Sequence, residues 1–153
     1  MNKDYFDKYS VVVVDSGGGQ VLEPLASIYI NKDCTLFEAR RLGYKMAKTK
    51  YVMNLDSDVL IPLYYPEIAI LTLDEQPGVG AISLFYQEIG NRGTLEFGIS
   101  IWRRNLLASL YDYGSGKGPG YCECNYLWEK LLKTGHRLLT MGMKAYHLNG
   151  EKK

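Results

Sequence analysis

Four consecutive valines, Val11 to Val14, run straight into Asp15-Ser16-Gly17-Gly18-Gly19, and a second apolar run, Tyr51-Val52-Met53-Asn54-Leu55, ends in Asp56-Ser57-Asp58. An apolar run without alternation predicts a strand buried on both faces, as in α/β sheets. In open α/β sheets ligands bind beyond the carboxyl ends of the strands. Strands that stop in acids therefore put chemistry at that end, and the glycines after Asp15 let backbone approach a ligand closely.

Between and beyond these runs the pattern alternates helix with strand. Ser27–Ile30 reads as a short strand stopped by Asn31-Lys32-Asp33, and Thr35–Lys48 reads as a helix. Thr35 is placed to cap it, with Glu38 three residues later in capping-box spacing. A loop holding Pro62 and Pro66 leads into a helix over Glu67–Glu75, closed by Gln76-Pro77-Gly78. Strands are predicted at Val79–Phe85 and Leu95–Trp102, with a Gly-Asn-Arg-Gly turn at 90–93 between them. Helices follow over Arg103–Tyr111 and Glu123–Thr134, the second stopped by Gly135. Leu138–Met141 and Lys144–Leu148 read as two last short strands, and the glycine-rich stretch 114–120 as an active-site loop. That loop lacks the spacing of a phosphate-gripping P-loop.

The 153 residues form neither an internal repeat nor a long linker, so one domain is expected over 1–153. Hydrophobic residues make up 46% and charged residues 23%, a globular rather than a disordered balance. A net charge of +1 argues against a general nucleic-acid binder. No apolar run reaches the roughly 18 residues of a membrane span, and the polar start MNKDYFDKYS is unlike a signal peptide. A cytoplasmic protein is expected, peripheral to a membrane only if a partner holds it there. Cys34, Cys122 and Cys124 complete neither a disulfide framework nor a zinc site and read as reduced thiols.

In an extended segment Asp56 and Asp58 point the same way, and two carboxylates so placed repel. A hard divalent cation removes that conflict while also holding substrate phosphates. Taken alone, D-S-D reads more often as a solvated turn before Pro62.

Its surroundings change that reading. YVMNLDSDVLIP, preceded by EARRLGYKMAKTK, resembles the D-x-D region of family-two glycosyltransferases of the GT-A fold. Ala39-Arg40-Arg41-Leu42-Gly43 and Ala47 follow that family's helix pattern, with Arg41 in place of an asparagine. VVVVDSGGG is similar to its V-V-D-[DS]-G-S segment, with Gly18 for the serine. Trp102-Arg103-Arg104 resembles its strand-end R-R element, CECNYLWEKLLKTGHRL its E-D…G segment, and AYHL its closing strand. The likeness runs in family order from about Tyr9 to Leu148.

The resemblance implies a Rossmann-like GT-A domain, with a mixed, mostly parallel sheet flanked by helices. It also implies an inverting transfer of a sugar from a nucleotide-diphosphate sugar to an acceptor hydroxyl, assisted by Mn²⁺ or Mg²⁺. By its pattern Asp58 holds the metal, Asp56 the ribose or the metal, and His147 a further metal or diphosphate contact. Asp15 accepts a hydrogen bond from the base, with Ser16 beside it, and Arg40 lies near base or phosphate. In the E-D pair the aspartate usually takes the acceptor's proton. Here that position is Cys124, a poor substitute for a carboxylate, which leaves Glu123 as the expected base.

The family also opens with one more strand and helix, about 30 residues of βα structure, where about ten residues precede Val11. A truncated form with exposed sheet edges leaves room for a homodimer. Tyr64, Tyr65, Tyr111, Tyr113, Tyr121 and Tyr126 lie in or near the predicted site loops, where aromatic faces suit a sugar and core edges are the other use. Two other functions stay open. One is a nucleotide-sugar-binding module with little or no catalysis, suggested by Cys124. The other is a phosphatase of the haloacid-dehalogenase type, disfavoured by Leu60 where that motif has Thr or Val.

Overall fold

A computed structural model describes residues 8–15, 27–87, 95–111 and 123–148. The chain divides into two compact units, 1–49 and 50–153.

In the first unit, strand β1 (Val12–Asp15) pairs in parallel with β2 (Ile28–Asn31), Val12 opposite Ile28 and Asp15 opposite Asn31. Helix α1 (Leu36–Met46) begins at the predicted box: Thr35 Oγ1 accepts the Glu38 N–H at 3.3 Å, and Glu38 Oε2 accepts the Thr35 N–H at 2.9 Å. Ala39 and Tyr44 are its buried residues. Val14 Cγ2 would stand 3.8 Å from a Cβ at Gly43, so the missing side chain lets helix and strand approach. The valines were expected to be buried on both faces, but each residue of β1 is only half-buried.

In the second unit five strands lie in the order β3-β6-β5-β7-β4. They are β3 (Tyr51–Met53), β4 (Val59–Leu60), β5 (Val79–Tyr86), β6 (Ser100–Arg103) and β7 (Arg137–His147). β5 and β7 run parallel; the other three pairings are antiparallel. Helices α2 (Tyr65–Glu75), α3 (Arg104–Tyr111) and α4 (Glu123–Lys133) complete the unit. No helix among the described residues is long and apolar enough to cross a membrane.

The core forms where α2 meets the sheet. Tyr65, Pro66, Ala69 and Leu73 recur on one helical face and are buried against β5 and β6 residues such as Ile82, Leu84 and Ile101. Burial of each large apolar side chain contributes about 1.5–3 kcal/mol. The Tyr65 hydroxyl, fully buried, lies 3.1 Å from the Ile82 carbonyl and 3.0 Å from that of Ile99, so its polar end is satisfied. Arg103 closes the far end of α2. Its guanidinium donates to the carbonyls of Leu73 (2.5 Å) and Gln76 (3.1 Å) at the end of the helix and to that of Val79 (2.8 Å) at the start of β5. The strand-end arginine noted in the sequence is thus a helix cap.

Three expected elements differ. The strand predicted over Leu95–Trp102 starts as a 3-10 turn, Phe97–Ile99, and becomes β6 only at Ser100. The two closing strands are one continuous β7, because a register shift against β5 between Ser83 and Phe85 absorbs the Met141–Met143 irregularity. Val59–Leu60, read as loop, pairs with Tyr146–His147. Gly135, at φ +78°, stops α4 as predicted. The turn at 90–93 and the loop at 114–120 lie outside the described residues.

Candidate active site

Strand direction decides what gathers at one end of the five-stranded sheet. β5 and β7 run parallel, so their carboxyl ends, Tyr86 and His147, share an edge. β3 and β6 are antiparallel, so the exit of β3 towards Asp56 meets the entry of β6 at Gly98. β4 enters antiparallel to β7, with Val59 opposite His147. The D-S-D segment therefore lies at the carboxyl ends of β3, β5 and β7, the position at which such sheets bind ligands.

Each acid is anchored there through its main chain. The Asp56 N–H donates to the Gly98 carbonyl at 2.9 Å, and the Asp58 carbonyl accepts the Leu148 N–H at 2.7 Å, one residue past His147. The Asp56 carboxylate lies on the Cα of Gly98, filling the space a Cβ would need. The His147 imidazole stacks on the Tyr86 ring, centroids 4.0 Å apart and planes inclined by 21°. Burial, and then the charges of Asp56, Glu96, Cys124 and Asp58, hold the Tyr86 phenol well above the ordinary tyrosine range.

The start of α4 reaches the same segment. Cys124 Sγ accepts the Phe97 N–H at 3.4 Å. Glu123 accepts a short hydrogen bond from the Tyr111 hydroxyl, and the Tyr111 ring packs 5.8 Å from Phe97. Two buried hydroxyls stiffen the approach. Ser100 Oγ donates to Phe97 O at 2.8 Å and accepts the Trp102 Nε1–H at 2.7 Å. Ser83 Oγ, opposite Ser100 in the ladder, accepts the Glu96 N–H at 3.2 Å.

Among the described residues no three His, Cys, Asp or Glu side chains form a metal-binding group. A closed structural centre, which needs about four such ligands, is not what this end of the sheet offers. Its donors are two half-buried carboxylates with a ring-stacked histidine two strands away from β5's neighbour β6, an open and oxygen-rich set. That set fits Mg²⁺ or Mn²⁺, which take one or two carboxylates and complete their shell with substrate phosphates and water.

In the first unit Asp15 ends β1 and its Oδ2 accepts the Tyr29 hydroxyl at 2.8 Å. Arg40 is half-buried on α1. Ser16 lies outside the described residues, as do Tyr113 and Tyr121. Of the tyrosines expected near a sugar, Tyr65, Tyr111 and Tyr126 are buried and belong to the core, while Tyr64 is exposed. Sequence reasoning missed Tyr86, Glu96 and Gly98. Only Gly98 carried a signal, since a glycine inside an apolar strand pattern often marks a close approach.

The sequence matches no protein-family model and no curated protein. Its structure is similar to that of the mannosyltransferase PcManGT from Pyrobaculum calidifontis, solved in complex with GDP-Man and Mn²⁺, with a TM-score of 0.72 and 18% identity. The likeness covers 95% of this chain and 49% of that one. It is also similar to S. aureus TarS 1-349, with a TM-score of 0.60 and 16% identity over 93% of this chain and 52% of that one. The chain thus spans about half the length of these neighbours. Over that span it has the α/β fold they share, the GT-A fold.

Proposed function

We propose that this chain is a metal-dependent glycosyltransferase that moves a hexose from a nucleotide-diphosphate sugar to an acceptor hydroxyl with inversion. The observation that carries the reading is the anchoring of Asp56 and Asp58 at the carboxyl ends of β3, β5 and β7, with His147 paired beside them. The fold supports it, because the neighbour of TM-score 0.72 was solved with GDP-Man and Mn²⁺.

As the glycosidic bond breaks, the leaving nucleoside diphosphate gains negative charge, and a bound Mn²⁺ or Mg²⁺ supplies the compensating positive charge. Asp58 and Asp56 are the residues to hold that ion, and His147, oriented by its stack on Tyr86, is a further contact to ion or diphosphate. In the first unit Asp15 accepts a hydrogen bond from the base, which requires Tyr29 to share its carboxylate. Ser16 and Arg40 assist there. Glu123 remains a candidate for the acceptor's proton, with its carboxylate already bonded to Tyr111. We take residues 1–153 to act as one GT-A-like domain in the cytoplasm, with a homodimer open to direct measurement.

Thermal unfolding with UDP, GDP or dTDP, with and without Mn²⁺, tests the reading. A ligand at about 100 times its dissociation constant adds about 2.7 kcal/mol. One nucleotide should stabilise the protein only with the metal, and Asp58→Ala should abolish the gain. Equal stabilisation without metal, or none by any nucleotide, would remove the proposal.

A further inference from the structure

A helix that is apolar all round is normally buried on every side, and α2 is apolar on two faces. Tyr65, Pro66, Ala69 and Leu73 are its buried face, set against the sheet. On the other side Tyr64, Ile68 and Leu71 follow one another at helical spacing and form a single stripe. They are 58%, 40% and 61% exposed, and Leu63, just before the helix, is 65% exposed. The polar neighbour on this side, Thr72, turns its hydroxyl back onto the Ile68 carbonyl at 2.8 Å.

These four side chains leave on the order of 400 Å² of largely apolar surface in water. A standard interface takes about 800 Å² from each partner, and somewhat more than half of that is apolar. The stripe is therefore about the size of the apolar centre of one partner's share.

Charge decides what fits it. The helix carries Glu67, Asp74 and Glu75 and no basic residue. A lipid surface with anionic headgroups attracts Lys and Arg, so it matches this helix poorly. The two ends of the helix, however, complement each other. α2 starts without a side-chain cap and ends with no base in its last turn, where the helix dipole disfavours acids. Asp74 is engaged by Lys50 and Tyr51, while Glu75 stands exposed. A second α2 laid antiparallel and crossing at Ile68 brings Glu75 of each chain to the uncapped start of the other. The same arrangement sets Leu71 of each chain near Tyr64 of the other. The stripe is thus self-complementary, as a twofold interface must be.

We propose that the Tyr64–Ile68–Leu71 stripe is the interface of a homodimer, in which two α2 helices pack antiparallel about a twofold axis at Ile68. The stripe lies wholly in the second unit, and the proposal does not depend on the transferase reading.

Sedimentation of the full chain across a dilution series tests it, beside flotation with phosphatidylcholine–phosphatidylglycerol vesicles. The wild type should sediment at twice the chain mass above about 10 μM, the range of a transient dimer. Ile68→Glu places two like charges at the axis and should weaken association by about 100-fold or more. Leu71→Lys should also weaken it, and both variants should keep the wild-type circular dichroism, because the replaced side chains face water. Leu132→Glu, equally exposed but on α4, should change nothing. Under oxidised glutathione Ile68→Cys should give a covalent dimer and Leu132→Cys should not. A wild type that stays monomeric at about 100 μM overturns the proposal, and if that monomer floats with the vesicles the stripe is a lipid-facing surface instead. A dimer that survives both Ile68→Glu and Leu71→Lys overturns the location. A dimer that both variants weaken but Ile68→Cys does not cross-link overturns the antiparallel crossing at Ile68.

Discussion

The carboxylate of Asp56 occupies the place where any side chain on residue 98 would begin. The contact is reinforced by the Asp56 N–H bond to the Gly98 carbonyl. An acid anchored to a glycine in this way is held at a fixed height above the end of the sheet, which a divalent ion bridging protein and diphosphate would require.

Gly98→Ala should therefore behave as a binding-site variant. The methyl group must displace the carboxylate, since the Asp56 N–H bond to the Gly98 carbonyl holds the two segments together. The expected result is a folded protein whose Mn²⁺-dependent stabilisation by nucleotide, about 2.7 kcal/mol at 100 times the dissociation constant, falls to near zero. Full retention of that stabilisation in thermal melts would show that Asp56 does not hold the ion.

Arg103→Met removes the guanidinium bonds to the carbonyls of Leu73, Gln76 and Val79 while keeping much of the side-chain volume, and Gln76 O retains a second donor, the Val79 N–H. Hydrogen bonds to a charged group are worth about 1.5–3 kcal/mol each, and partial exposure discounts their sum. A loss of about 2–4 kcal/mol in urea unfolding is expected, with Arg103→Lys recovering only part, because an ammonium lacks the planar fork. A loss below about 0.5 kcal/mol, the size of an ordinary surface change, would contradict the capping role.

How much of this was legible depended on whether the cause was local. Thr35 with Glu38, and Gly135 at its positive φ, state their roles within a few residues, and both do what the sequence predicts. The Val79–Phe85 run, closed on one side by Pro77-Gly78, becomes an eight-residue buried strand. Val59–Leu60 has no period to read; it is a strand only because His147 and Tyr146 come alongside. Glu96 has no motif at all, and its place follows from a Ser83 hydroxyl 13 residues earlier in the chain and a thiol 27 residues past Phe97. The D-S-D acids were visible in the sequence as a pair after a strand, but their anchoring to Gly98 and Leu148 is a product of strand order.

Removing the cap of α1 tests the first unit separately. Thr35→Ala loses the oxygen that accepts the Glu38 N–H and should cost about 1 kcal/mol. The Thr35 N–H, and then its hydroxyl, hold the exposed Glu38 carboxyl below its usual range. A depressed carboxylate stabilises the folded form above its unfolded pKa, so this contribution is present at neutral pH and fades as acid protonates Glu38. Amide exchange over 36–46 should quicken in Thr35→Ala at neutral pH, and the difference from wild type should shrink on acidification. A difference that does not change with pH would mean that the Glu38 charge adds nothing to the box.

Tyr65 makes the second unit sensitive to alkali. Burial raises its phenol far above the ordinary value near 10, and its bond to backbone offsets only part of that rise. In the unfolded chain the same phenol ionises near pH 10, so above that pH the unfolded state binds fewer protons than the folded one. The stability from a neutral Tyr65 is therefore constant below about pH 10 and declines above it by about 1.4 kcal/mol per pH unit. Tyr65→Phe keeps the ring between the strands and α2 and forgoes the hydroxyl's contacts with Ile82 O and Ile99 O, so it should be less stable at pH 7. Its stability should nonetheless fall less steeply above about pH 10, the two slopes differing by that amount. Parallel decline of both proteins in urea titrations from neutral to alkaline pH would mean that the phenol ionises in the folded state, and that its seat in the core is looser than the two carbonyl contacts imply.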